Sequence, residues 1–177
     1  MHLMRNPLPK TQHRKRTSVR GSAGSQVLVI GVGNEIRGDD AIGLYVCRIL
    51  KGKLPPQCNI VEDSGDGAHL IELWKNSQTT ILVDAVRSGA KQGQVYKYDA
   101  HQRPLPTTLF QNSTHAFGVP QAIELARALN QLPQKLTVYG IEGACFDEGA
   151  AISPIVERAG KEVAESIALE ISHNNRV

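Results

Sequence analysis

QVLVIGVGNEIRGDDAIGLYVCRILKGKL, residues 26–54, decides the fold class. Its first eight residues are a run of valine, isoleucine and leucine broken by glycine, the composition of a strand covered on both faces. Beyond Ala41 the period changes: Ile42, Val46, Ile49 and Leu50 fall on one helical stripe. A buried strand, a glycine-rich polar loop and an amphipathic helix form the opening half of a strand–helix–strand unit. The next apolar run should then pair in parallel with the first.

The rest of the chain repeats this alternation. CNIVED, residues 58–63, predicts a second strand, and GAHLIELWKN, residues 67–76, a short helix with Leu70, Leu73 and Trp74 turned inward. TTILVDA predicts a third strand at 79–85, and QVYKYDA a fourth at 94–100, assigned to an edge. Val119 to Leu132 is helical, with Pro120 in the first turn, where a missing N–H costs nothing. KLTVYGIE, residues 135–142, is the last strand, and Ser153 and Pro154 cap and start a helix running to about Ile171. The pattern defines a single α/β domain with helices on both faces of a mostly parallel sheet. Neither an internal repeat nor an interdomain linker interrupts it.

Composition excludes several classes. With 177 residues, 41% hydrophobic and 21% charged, the chain suits one soluble domain, and no apolar run reaches the ~18 residues that cross a bilayer. Cys47, Cys58 and Cys145 form neither a disulfide framework nor a zinc spacing, which points to a reducing, cytoplasmic setting. The formal charge of +3 comes from residues 1–20, which hold six basic residues (Arg5, Lys10, Arg14, Lys15, Arg16, Arg20) and no acidic one. The remainder carries 14 basic against 17 acidic residues, so the folded body offers no cationic surface for nucleic acid. Residues 1–24 are read as a solvated, disordered leader, and 25–177 as the domain.

Ligands of parallel α/β sheets sit outside the carboxyl ends of the strands. Asp63 ends the second strand, Asp84 the third and Glu142 the last, while Asp39 and Asp40 lie in the loop leaving the first; all fall on one rim. Gly31 to Gly43 is not a dinucleotide fingerprint: the third glycine would fall at Ile36, and two aspartates at a helix start repel phosphate. One aspartate of the pair is enough for a helix cap, and the second is available for a cation or substrate. His115, in NSTHAFG, opens a helix after a polar loop. His2, His13 and His173 lie near the termini, and His101 lies in a loop. His69 with Glu72 is assigned to a solvated helix face, since no second histidine follows as in a zincin. Asp40, Asp63 and His115 together offer two carboxylates and one imidazole, a set suited to Ni, Mn, Fe or Zn with open coordination positions.

These residues resemble a known family, the hydrogenase maturation proteases, endopeptidases that trim the C-terminus of the nickel–iron hydrogenase large subunit. The likeness spans Gln26 to Ala168 through VLVIGVGNEIRGDDAIG, VEDSGDGAHLIELW, ILVDAV, STHAFGVPQAIELARAL, VYGIE and FDEGAAISPIVE. In that family the second acid of the GDD or TDE motif, the acid of a D-G-G-T-x-G turn and the histidine of an S-x-H segment bind the metal; these fall on Asp40, Asp63 and His115. The turn departs from the pattern, with Ser64 and Asp66 where glycine and threonine are usual, and Ala41 replaces a common glycine. The resemblance implies a three-layer α/β/α fold of phosphorylase/hydrolase-like type. It also implies nickel brought by the substrate, with other divalent metals able to substitute, and a large-subunit precursor as partner of a cytoplasmic monomer. Asp39 and Asp84 would be supporting or helix-capping groups, and Cys47 would pack in the core. The alternatives are a non-catalytic nickel-dependent assembly factor and a phosphorylase or nucleosidase. The last needs basic phosphate donors on the rim, for which only Arg37 and Arg87 are near.

Overall fold

A computed structural model describes residues 27–106, 109 and 117–174. The leader and His115 lie outside the described residues. Five strands form one sheet: β1 (Val27–Val32), β2 (Cys58–Asp63), β3 (Thr79–Val86), β4 (Val95–Asp99) and β5 (Lys135–Glu142). Their order across the sheet is β2-β1-β3-β5-β4. β1 pairs in parallel with β2 and β3, and β3 with β5, whereas β4 runs antiparallel to β5 at one edge.

Four helices cover the two faces: α1 (Ile42–Leu50), α2 (Gly67–Trp74), α3 (Val119–Ala128) and α4 (Pro154–Asn174). α1 and α4 pack on one face, against Val29 of β1, Ile81, Val83 and Ala85 of β3, and Tyr139 and Ile141 of β5. α2 and α3 pack on the other, against Leu28, Ile30 and Val32, Leu82 and Val86, and Leu136 and Val138. Both sets alternate along their strands, as a sheet buried on two sides requires. The predicted single-domain, three-layer arrangement is what the structure shows.

Two of the boundaries that differ from the sequence reading have a visible backbone cause. α3 stops at Ala128 rather than Leu132, because Asn130 adopts a left-handed φ of 54° that breaks the helical repeat. α1 stops at Leu50, ahead of a turn in which Gly52 takes φ 79°.

Helix α1 sits unusually close to β1, and this contact builds the rim. A Cβ added at Gly31 would lie 2.1 Å from the carbonyl oxygen of Gly43, and one added at Gly43 would lie 2.2 Å from that of Val32. Only paired glycines let the backbones approach so far. The chain therefore leaves β1, makes a short 3-10 turn over Gly38–Ala41 and enters α1 directly above the end of the strand.

Candidate functional site

The carboxyl ends of β2, β1 and β3 carry the acidic residues. In the parallel register Asp63 lies beside Val32, and Asp84 follows Val83, which is paired with Gly31. Strand alternation puts Asp63 and Asp84 on the same side as Val61 and as Leu82 and Val86, the α2/α3 side. Val32 separates them, so their backbones stand two strand spacings, ~10 Å, apart.

Asp40 reaches this rim from the loop. A Cβ on Gly33 would lie 1.8 Å from the Asp40 carbonyl oxygen, which clamps Asp40 against the end of β1. The same Gly33 donates its N–H to the carbonyl of Asp63 at 3.0 Å. Burial raises the pKa of Asp40, while the nearby Arg37 charge and a backbone hydrogen bond from Asn34 oppose that rise. Asp84 is buried, and its pKa is pushed up to about 8, first by desolvation and then by the negative charge of Asp40. The structure thus brings Asp40 and Asp84 together. Burial, with the Asp40 charge added to it, favours a protonated Asp84 at neutral pH.

A stability measurement checks this. The folded pKa of Asp84 is raised above its ordinary value, so the folded state binds more protons than the unfolded one between about pH 4 and pH 8. Its contribution is favourable at the acid end and is lost as pH rises through that window, by up to about 1.4 kcal/mol per unit. Asp84→Asn is therefore expected to gain stability relative to the wild type between pH 5 and pH 9 in thermal melts. A difference independent of pH would contradict it.

Asp39 and Asp40, adjacent in sequence, have different surroundings. Asp39 is 0% exposed. Its Oδ2 accepts from the N–H groups of Ala144 and Cys145 at 2.7 and 2.8 Å and from the Ser153 hydroxyl at 2.9 Å, and its Oδ1 from Ser153 N–H at 2.6 Å. Its own N–H donates to the Cys145 carbonyl at 2.8 Å. The helix-cap reading therefore needs correcting: neither the 3-10 turn nor α1 has a side-chain cap. The helix whose N-terminus Asp39 serves is α4, across the rim, and Ser153 gives its hydroxyl proton to Asp39. Asp84 likewise caps no helix, because it lies inside β3, which continues to Val86. Glu142 is also committed, accepting from Ser88 N–H, Gly89 N–H and the Ser88 hydroxyl at 2.8, 2.9 and 2.7 Å.

Asp63 ends β2 in a tight turn. Its Oδ1 accepts from Gly65 N–H at 2.8 Å, with Gly65 at φ 92°, and its Oδ2 lies 2.5 Å from His69 Nδ1. Asp66 caps α2 by accepting from His69 N–H at 2.9 Å. The departures at 64 and 66 leave the turn intact: position 65 keeps the glycine that a positive φ needs, and aspartate is a strong N-cap. His69 was placed on a solvated face by its pairing with Glu72. In the structure Glu72 meets Lys75 at 3.3 Å, while His69 reaches back to Asp63. The signal was available in the order acid, turn, N-cap and third helical residue, which sets position 69 above position 63.

Among the described residues no three His, Cys, Asp or Glu side chains stand together in an arrangement able to hold a metal ion. Cys47 is buried, and its thiol is pushed up to about 12 mainly by that burial, which makes it an inert core group. Arg87 lies over the Phe146 ring, 5.8 Å from its centroid. No helix among the described residues is long and apolar enough to cross a membrane.

This mostly parallel α/β architecture is shared with solved peptide-bond hydrolases. The hydrogenase-maturating endopeptidase HybD of Escherichia coli superposes with a TM-score of 0.71 at 23% identity, over 84% of this chain and 93% of that one. A [NiFe] hydrogenase maturation protease from Thermococcus kodakarensis gives 0.61 at 26% identity, over 82% and 98%. In sequence, the hydrogenase 2 maturation protease of Escherichia coli is 27% identical over 146 residues, 80% of this chain and 88% of the relative. A family model described as hydrogenase maturation protease matches residues 45–170, a span that includes Asp63, Asp84 and His115. The chain belongs to the hydrogenase maturation protease family and is a peptide-bond hydrolase of hydrogenase maturation.

Proposed function

We propose that this protease recognises nickel already seated in the precursor of a [NiFe] hydrogenase large subunit and removes the precursor's C-terminal extension. Asp40, Asp63 and His115 are the groups that meet the metal. The observation that carries the reading is the Asp40–Asp84 juxtaposition on the rim, two carboxyls near enough that the charge of Asp40 adds to the burial that raises the pKa of Asp84. The donor set fits a divalent ion. A carboxylate offers about four lone-pair positions, and Asp63 uses two, on Gly65 and His69, so two remain. Asp40 is only partly buried. The described chain resumes after His115 at Phe117, whose carbonyl accepts from Gly67 N–H at 2.9 Å, beside the Asp63 turn.

Nickel enters here as part of the substrate, and when bound it supplies Lewis-acid polarisation near the scissile carbonyl. The protein's own residues do the rest. Asp40 and Asp63 present charge to the incoming metal, and Asp39 holds the loop that carries Asp40. Asp84 keeps or yields a proton according to the charge beside it. The enzyme is read as a cytoplasmic monomer, in keeping with three free thiols, Cys47, Cys58 and Cys145.

The test is a gel-shift assay of cleavage with nickel-loaded and nickel-free precursor. Cleavage of the loaded form alone, abolished when nickel is stripped before the protease is added, is the expected result. Equal cleavage of both forms would remove nickel recognition, and a stable complex without cleavage would favour the assembly-factor reading.

A further inference from the structure

We propose that His69 is a positioning residue of this site, locking the Asp63 carboxylate through its Nδ1–H; the proposal rests on the reading of Asp63 as a group that meets the substrate's metal. His69 is pinned at two points. Its backbone N–H donates to the Asp66 carboxylate at 2.9 Å, and its ring nitrogen lies 2.5 Å from Asp63 Oδ2. Asp63 is an acceptor, already taking the Gly65 N–H on Oδ1, so the ring nitrogen facing it is the one that carries the proton.

The two partners differ in exposure: the Asp63 side chain is 3% exposed and the His69 side chain 59%, so a buried carboxylate is bonded to a solvent-exposed ring. With only the Gly65 bond, the carboxylate could turn about its Cβ–Cγ bond. With a second donor on Oδ2, its plane is fixed and its two remaining lone pairs have a set direction. Donors that orient a metal-binding group commonly change metal affinity 10- to 100-fold when removed.

Asparagine separates positioning from direct ligation. Its side-chain amide nitrogen occupies nearly the place of histidine Nδ1 and can donate to Asp63, but it has nothing at the place of Nε2. The experiment uses the full chain as wild type, His69→Ala, His69→Asn and Asp63→Asn. It measures Ni²⁺ binding by calorimetry, kcat and KM on nickel-loaded precursor, and the ¹⁵N signals of the His69 ring. The expected result is Ni²⁺ affinity and kcat lowered 10- to 100-fold in His69→Ala and restored to within about threefold in His69→Asn. KM should change little. The wild-type ring should be protonated at Nδ1, and that signal should move in Asp63→Asn.

A His69→Asn variant that is folded yet as poor as His69→Ala would overturn positioning in favour of a ligand role for Nε2. Wild-type behaviour in both His69 variants would overturn it as well. A wild type that binds no Ni²⁺ and cleaves no precursor counts against the nickel reading instead, and the ring tautomer then decides the His69–Asp63 bond. Protonation at Nε2 alone overturns the proposal; protonation at Nδ1, lost in Asp63→Asn, supports it.

Discussion

Asp39→Asn is expected to destabilise the protein by about 3–5 kcal/mol, the larger of two very different effects at neighbouring positions. The carboxylate accepts four hydrogen bonds from Ala144, Cys145 and Ser153 and is fully buried. Asparagine keeps one oxygen and turns an NH₂ group toward buried donors. Either the N–H groups of Ala144 and Cys145, which share Oδ2, or the one N–H of Ser153, on Oδ1, then lacks an acceptor. Each charge-assisted bond contributes about 1.5–3 kcal/mol, and buried donors without an acceptor add to the loss. For a chain of this length the melting temperature should fall by roughly 10 °C or more, read by circular dichroism. A shift of under about 3 °C would show that the rim does not depend on this carboxylate.

Asp40→Asn should do the opposite. It removes the same charge one residue later, from a half-buried group held mainly by its backbone against Gly33. Stability should stay within about 1 kcal/mol of the wild type, as for surface changes that break no buried network. Processing of nickel-loaded precursor should fall about 100-fold or more, because an anionic group meeting the metal is lost rather than one that merely orients it. A second readout belongs to this variant alone. Asp40 is one cause of the raised Asp84 pKa, so removing its charge should lower the Asp84 titration from about 8. Full activity in Asp40→Asn would end its assignment. An unmoved Asp84 would show that burial alone sets that pKa.

The contrast shows what sequence could and could not reveal. The sheet was legible because continuous Val, Ile and Leu runs mark doubly covered strands: CNIVED and KLTVYGIE match β2 and β5 at both ends. Helix ends were less legible, since a residue such as Asn130 can enter the left-handed region without glycine. The rim acids were found because a parallel sheet orders the ends of its strands. Their roles were not, because a role depends on partners far along the chain. Nothing near Asp39 in sequence announces Ala144, Cys145 and Ser153. Nothing near Asp84 announces how fully it is enclosed. His69 is exposed, as its assignment to a solvated face expected, but its partner was missed for a related reason: helical periodicity compares a residue with positions three and four away, whereas Asp63 lies six residues back, across a turn.

The bonds on Asp39 join residues separated by 105 to 114 positions. That separation orders events during synthesis. A nascent chain ending before Ser153 lacks donors that seat Asp39, and the loop carrying Asp40 has no anchor on the far side of the rim. Bringing such distant segments together also carries the loop-closure entropy of a chain more than 100 residues long, so this contact forms late even once all the residues are available. The anchor of this rim on Asp39 is consequently completed only once residues 144–153 are in place. A nascent chain that holds β1, α1, β2 and β3 but has not reached residue 144 has none of the four donors that fix Asp39.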